Sequence, residues 1–78
     1  MKVEEIVFED TKEDKKRAAQ SVLGRQVVLK DEHRKWCHGV VSDGVGTFDN
    51  DTYMIQTSDG RGRVLLHYHD LQQLLRIS

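Results

Sequence analysis

From residue 24 onward the apolar side chains fall in short runs, mostly at every second position, with turn-forming residues between the runs. A period of two is the signature of a strand with one face buried. The first run is Gln26–Asp31, with Val27, Val28 and Leu29. A polar stretch, DEHRK, separates it from a second run, Trp36–Asp43. A glycine-rich loop, DGVGTFDND, leads to Thr52–Thr57, where Tyr53, Ile55 and Thr57 share one face and Met54 and Gln56 the other. Ser58-Asp59-Gly60 has the residues of a tight turn. After it Val64, Leu66 and Tyr68 alternate with Leu65 and His67. Asp70 is placed to cap one helical turn around Leu71–Gln73, and Leu74–Ser78 forms a last short strand. No proline interrupts any run. The pattern predicts a mainly β domain, a small five-stranded barrel over residues 24–78. Its core is expected from Val27, Leu29, Val41, Tyr53, Ile55, Val64, Leu66, Leu71, Leu74 and Ile77.

The first 23 residues read differently. Val3, Ile6 and Phe8 alternate imperfectly among acids, which fits an edge strand or an extended arm. Thr11 with Asp14 three residues on resembles a helix cap, and acids in the first turn followed by cations suit the helix dipole. The helix is expected to end at Gly24, a residue suited to the left-handed C-terminal position. Ala18, Ala19, Val22 and Leu23 supply apolar surface only in its last turns, so its first half is expected to be a solvated face. The chain thus divides into an arm and helix at 1–23 and a barrel at 24–78.

Five strands with a helical turn before the last resemble the SH3-like small barrels. The carriers are Gly24-x-x-Val27-Val28, Trp36-x-x-Gly39-Val40-Val41 and Tyr68-His69-Asp70-Leu71, so the likeness covers roughly Leu23–Ser78. It implies that Trp36 lies beside the ligand surface and that Gly39 lets its strand bend around the core. The ALYDY-type stretch of proline-binding SH3 domains is absent. The chain is also similar in outline to the KOW-type barrels of ribosomal and elongation-factor proteins, without their basic excess.

Composition narrows the function. With 78 residues the chain is one domain with a small core. Charged residues at 32% and hydrophobic ones at 37% give a globular balance. A lone cysteine, Cys37, forms no internal disulfide, and no apolar run is long enough for a signal peptide or a membrane span. These features predict a cytoplasmic protein that does not contact membranes; in general look the chain resembles small prophage and bacterial accessory proteins, which implies a bacterial or phage type. Net charge is −1, yet residues 1–14 set six carboxylates against two lysines, and Lys15-Lys16-Arg17 reverse the sign at once. From Arg25 onward cations and acids balance, so a basic patch requires spatial sorting.

The densest chemistry is HRKWCH at 33–38. His33, Cys37, His67 and His69 are the candidate metal ligands, but one thiol and no paired close spacing make a poor structural zinc set. Adjacent Cys37 and His38 are expected on opposite sheet faces, which separates a nucleophile from its base. A barrel this small also offers little room for a water-excluding pocket. The expectation is therefore no catalysis, no cofactor and no metal. Trp36 between cations has the make-up of an interface anchor with a polar rim. The binding residues are expected to be Trp36, Arg34, Lys35, Arg61 and Arg63, meeting a protein partner with an acidic surface. The alternative is a nucleic-acid-binding barrel, the same cations holding phosphates while Trp36 stacks on a base. The chain is expected to be a monomer or a weak homodimer.

Overall fold

The computed structural model describes residues 2–43 and 51–78. Along these the elements are β1 (Val3–Glu5), α1 (Lys12–Ser21), β2 (Gln26–Asp31), β3 (Arg34–Asp43), β4 (Thr52–Thr57), β5 (Arg63–His67), a 3-10 turn (Tyr68–Asp70) and β6 (Leu71–Ile77). The glycine-rich loop expected at 43–51 falls largely outside the described residues.

The strands form one antiparallel sheet in the order β1-β6-β2-β3-β4-β5. The expected closed five-stranded barrel is therefore corrected to an open six-stranded sheet. The arm supplies the reason. Val3, Glu4 and Glu5 pair with Ile77, Arg76 and Leu75, so β1 occupies the edge of β6 that a closing strand would need. Hydrogen bonds between Lys2 and Ser78 (2.9 and 2.8 Å) and from Ile6 N–H to Leu74 C=O (2.9 Å) extend that pairing at both ends.

Alternation sets which side chains go inward. On β2, Val27, Leu29 and Asp31 are buried, while Gln26 and Lys30 are exposed and Val28 is half-buried. On β3, Cys37 and Val41 are buried and Trp36 and His38 face out. The long β3 serves two neighbours: residues 34–40 pair with β2, and residues 39–43 with β4. Gly39 sits where the two pairings overlap, opposite both Val27 and Thr57. One core collects Val27, Leu29, Cys37, Val41, Tyr53, Ile55, Leu66, Tyr68, Leu71 and Leu74 from five strands and the 3-10 turn. Of the expected core, Val64 and Ile77 are only half-buried.

The helix joins this core. Thr11 caps it, accepting from Asp14 N–H at 3.2 Å, and Gly24 follows with φ of 76°, a conformation that costs glycine nothing. Ala18, Ala19 and Val22 are buried against the sheet. The first half is not wholly solvated, as was expected from its poor apolar stripe. Lys15 is buried, donating to His69 C=O at 2.9 Å and pairing with Asp10 at 2.8 Å. Its stem covers apolar surface while its ammonium ties arm, helix and 3-10 turn together. That contact also holds the Asp10 carboxyl below the usual range.

The last strand starts earlier than the pattern implied. The helical turn spans Tyr68–Asp70 rather than 71–73, because Tyr68 turns inward to stack on Tyr53 with ring centroids 5.3 Å apart. With that anchor made, Leu71 is free to begin pairing opposite Asp31.

Candidate functional site

Trp36 stands on the outward face of β3 and is 55% exposed. Side chains two apart on a strand share a face, so Arg34 and His38 flank it. Val28, opposite His38 on β2, supplies the neighbouring apolar surface. The far wall is the β4–β5 turn, Thr57 to Arg61. Together these residues line a groove of about 370 Å³, to which Cys37 also contributes.

The turn is held rigidly for so small a segment. Thr57 N–H and Oγ1 both donate to Gly62 C=O, at 2.8 and 3.0 Å. Asp59 accepts from Arg61 N–H at 3.0 Å and pairs with the Arg61 guanidinium at 2.9 Å. The Arg61 N–H, before any other cause, keeps the Asp59 carboxyl below its usual range. Ser58 N–H donates to His38 C=O at 2.8 Å, which fixes the turn against the strand that carries Trp36. Both walls of the groove are thereby set by the chain's own hydrogen bonds.

Of the expected binding residues, Trp36, Arg34 and Arg61 come together in this groove. Lys35 alternates away from it along β3, and Arg63 lies on β5 opposite Gln56; both are exposed. Val28, His38 and the Thr57–Asp59 segment were missed. The period-two rule puts His38 on the face of Trp36 and was the signal that could have found it; Val28 and the turn depend on strand register, which one sequence does not reveal.

The candidate metal ligands are distributed otherwise. Cys37 is buried, and burial pushes its thiol up, away from the thiolate that a nucleophile or a ligand requires. His33 reaches over the β2–β3 turn to Asp70, with Nε2 3.3 Å from Oδ2. His69 Nε2 is 3.3 Å from the other oxygen of the same carboxylate, and the His67 and His69 rings lie 5.2 Å apart. Among the described residues no group of three His, Cys, Asp or Glu side chains has the geometry to hold a metal ion. Nor is any helix among them long and apolar enough to cross a membrane.

Under the His33 turn lies a second buried acid. Asp31 Oδ1 accepts from His33 N–H at 3.0 Å, while its Oδ2 is buried without a partner. Burial, reinforced by the nearby Asp70, pushes the Asp31 carboxyl above its ordinary 3.8. A raised folded-state value means that the charged form is disfavoured on folding, so Asp31 lowers stability at neutral pH. That loss is recovered as pH falls through the raised value toward the ordinary one. Asp31→Asn keeps an acceptor for His33 N–H and removes the charge. It is expected to stabilise the protein by about 1 kcal/mol at pH 7, with the gain shrinking near about pH 4. Urea unfolding of the two proteins at each pH checks this.

No family model, curated protein or solved structure matches this chain.

Proposed function

We propose that the chain is a non-catalytic protein-binding module that docks an acidic partner segment on the Trp36 groove. The observation that carries this reading is the exposed indole between Arg34 and Arg61 on a preset surface. An aromatic side chain at the centre of a small groove offers a large apolar contact area at low entropic cost, and cations at its rim steer carboxylates toward it. Arg34, Lys35 and Arg63 form no ion pair among the described residues, so their charge is open to a partner. The SH3-like scaffold belongs to the same proposal. What supports it is a run of five strands, β2 to β6, with a helical turn before the last. In that scheme β1 is an added strand on the outside of β6.

Nucleic acid is the less favoured ligand. Single-strand binders stack successive bases on several aromatic rings. Here Tyr53 and Tyr68 are buried in the core, and Trp36 is the one exposed ring of tryptophan or tyrosine among the described residues.

The test is titration of a labelled peptide carrying carboxylates on both sides of an aliphatic residue, read by fluorescence anisotropy at low salt. Trp36→Ala is expected to weaken binding by at least tenfold, about 1.4 kcal/mol, while Tm moves by only a few degrees. Binding unchanged by Trp36→Ala refutes the groove. Tighter binding of a single-stranded oligonucleotide, steeply lost with salt, favours the nucleic-acid reading instead.

A further inference from the structure

The molecule presents a second exposed feature of opposite chemistry. After β1 the chain continues extended over residues 6–9, where Ile6 and Phe8 are half-buried against the core. Alternation then turns Glu5, Val7 and Glu9 outward, and Val7 is 85% exposed. An aliphatic side chain thus stands in water with a carboxylate two residues to either side. Glu5 and Glu9 form no ion pair among the described residues, in contrast to Glu4, which pairs with Arg76 at 2.8 Å, and Asp10, which pairs with Lys15. The outward face therefore reads carboxylate, aliphatic, carboxylate, at the spacing of an extended chain. The groove sets the exposed indole of Trp36 beside Arg34, which forms no ion pair among the described residues, and Arg61, which Asp59 pairs at 2.9 Å. The two match in apolar centre, and in sign through Arg34.

The arm does not reach the groove of its own chain. It is fastened to β6 by the Lys2–Ser78 and Ile6–Leu74 hydrogen bonds, and β6 and β2 lie between it and β3. Three strand spacings amount to about 14 Å across the sheet.

We infer that a second copy of this chain fills the groove, with the outward Glu5-x-Val7-x-Glu9 face of its arm against Trp36, Val7 on the indole and the carboxylates toward Arg34 and Arg61. This rests on the groove being a docking site for acidic segments, and names one such segment. Because arm and groove are different surfaces, the contact is heterologous: each association leaves one arm and one groove unused. Rim charges screened by salt set its strength, so association weakens as ionic strength rises.

Two variants of the full chain separate the halves of the contact: Trp36→Ala, which keeps the arm, and Glu5→Lys/Glu9→Lys, which keeps the groove. All substituted positions are exposed, and circular dichroism verifies that both fold. In sedimentation velocity at low salt, wild-type mass is expected to rise with concentration and to fall back at high salt. Each variant alone is expected to associate at least tenfold more weakly. An equimolar mixture of the two is expected to recover association and stop at two chains, since the remaining arm and the remaining groove are both defective. A wild type that stays monomeric at every concentration, variants that associate as the wild type does, or a mixture that stays monomeric overturns the inference. A synthetic peptide of residues 4–10, titrated into the arm variant, distinguishes the two levels. Binding of that peptide without association of whole chains removes the second copy and leaves the groove reading standing. Failure of both removes the groove as well.

Discussion

Gly39→Ala is expected to lower the unfolding free energy by about 3 kcal/mol, the upper end of what overpacking costs. For a domain of this size that is a drop in Tm on the order of 15 °C. The cause is space, since Gly39 does not have a positive φ. A Cβ there is aimed at the backbone of β4, meeting the Gln56 carbonyl, with its carbon at 2.8 Å, and Ile55 Cγ1 at 2.9 Å. Backbone in mid-sheet cannot swing aside as a long side chain does, so β3 and β4 must separate. Their pairing runs from Gly39–Thr57 to Asp43–Tyr53, and a wedge at its start is felt along its length. The same displacement loosens the Ser58–His38 hydrogen bond that sets the groove, so the variant is expected to lose peptide binding along with stability. Urea unfolding checks the first outcome and anisotropy the second. A Gly39→Ala protein within about 0.5 kcal/mol of the wild type would show that the two strands are not so closely apposed.

How much of this was legible beforehand depended on the range of the interaction. Strands whose partner is the next strand declared themselves through alternation: Val27 and Leu29, Tyr53 and Ile55, and the turn at Ser58–Gly60 all needed only local rules. Closure was not legible, because whether β5 or β1 meets β6 is decided between residues at opposite ends of the chain. The imperfect alternation of Val3, Ile6 and Phe8 left open an edge strand or an extended arm, and nothing in it names Leu75–Ile77 as the partner of Val3–Glu5. Asp31 illustrates another limit. Alternation with Val27 and Leu29 puts its side chain on the inward face, but that an acid is buried there beside Asp70 depends on pairing with the distant β6.

The groove was half legible. Arg34 and Trp36 share a strand face by simple counting, so their proximity follows from the sequence alone. Lys35, counted with them, alternates away for the same reason. Arg61 joins only because the β4–β5 turn is tied back to β3, and Arg63 stays on β5 because that tie ends before it. Charge clustering along a sequence thus overstated one cation on each hairpin. What it captured was a separation of sign, acids on the arm and the unpaired Arg34 beside Trp36, and on that separation the proposed docking and self-association rest.

Ala19→Glu is expected to cost at least about 4 kcal/mol and to abolish the folded state of the whole chain under conditions where the wild type is stable. Ala19 is 2% exposed, with Ala18 and Val22 beside it in the core shared by all the longer strands. A carboxylate placed there has no room, and the cation on its helix face, Lys15 four residues back, is already held by Asp10 and His69 C=O, so most of its desolvation is unrecovered. A domain of 78 residues has an unfolding free energy of roughly 4–12 kcal/mol, so the loss removes from about a third to all of its margin. The neighbouring Gln20→Glu adds the same charge one position on, at an exposed site, and is expected to stay within about 0.5 kcal/mol. The contrast decides how the chain is divided. If the first 23 residues were an appendage, Ala19→Glu would melt the helix and leave the sheet's urea transition where it was. With the helix seated on Tyr68's turn and on β6, one transition covers everything, and the far-UV circular dichroism signals of helix and sheet vanish together. That outcome makes the arm a fixed part of the surface, held at a constant distance from the groove, which is the condition under which it is available to a neighbouring molecule and never to its own.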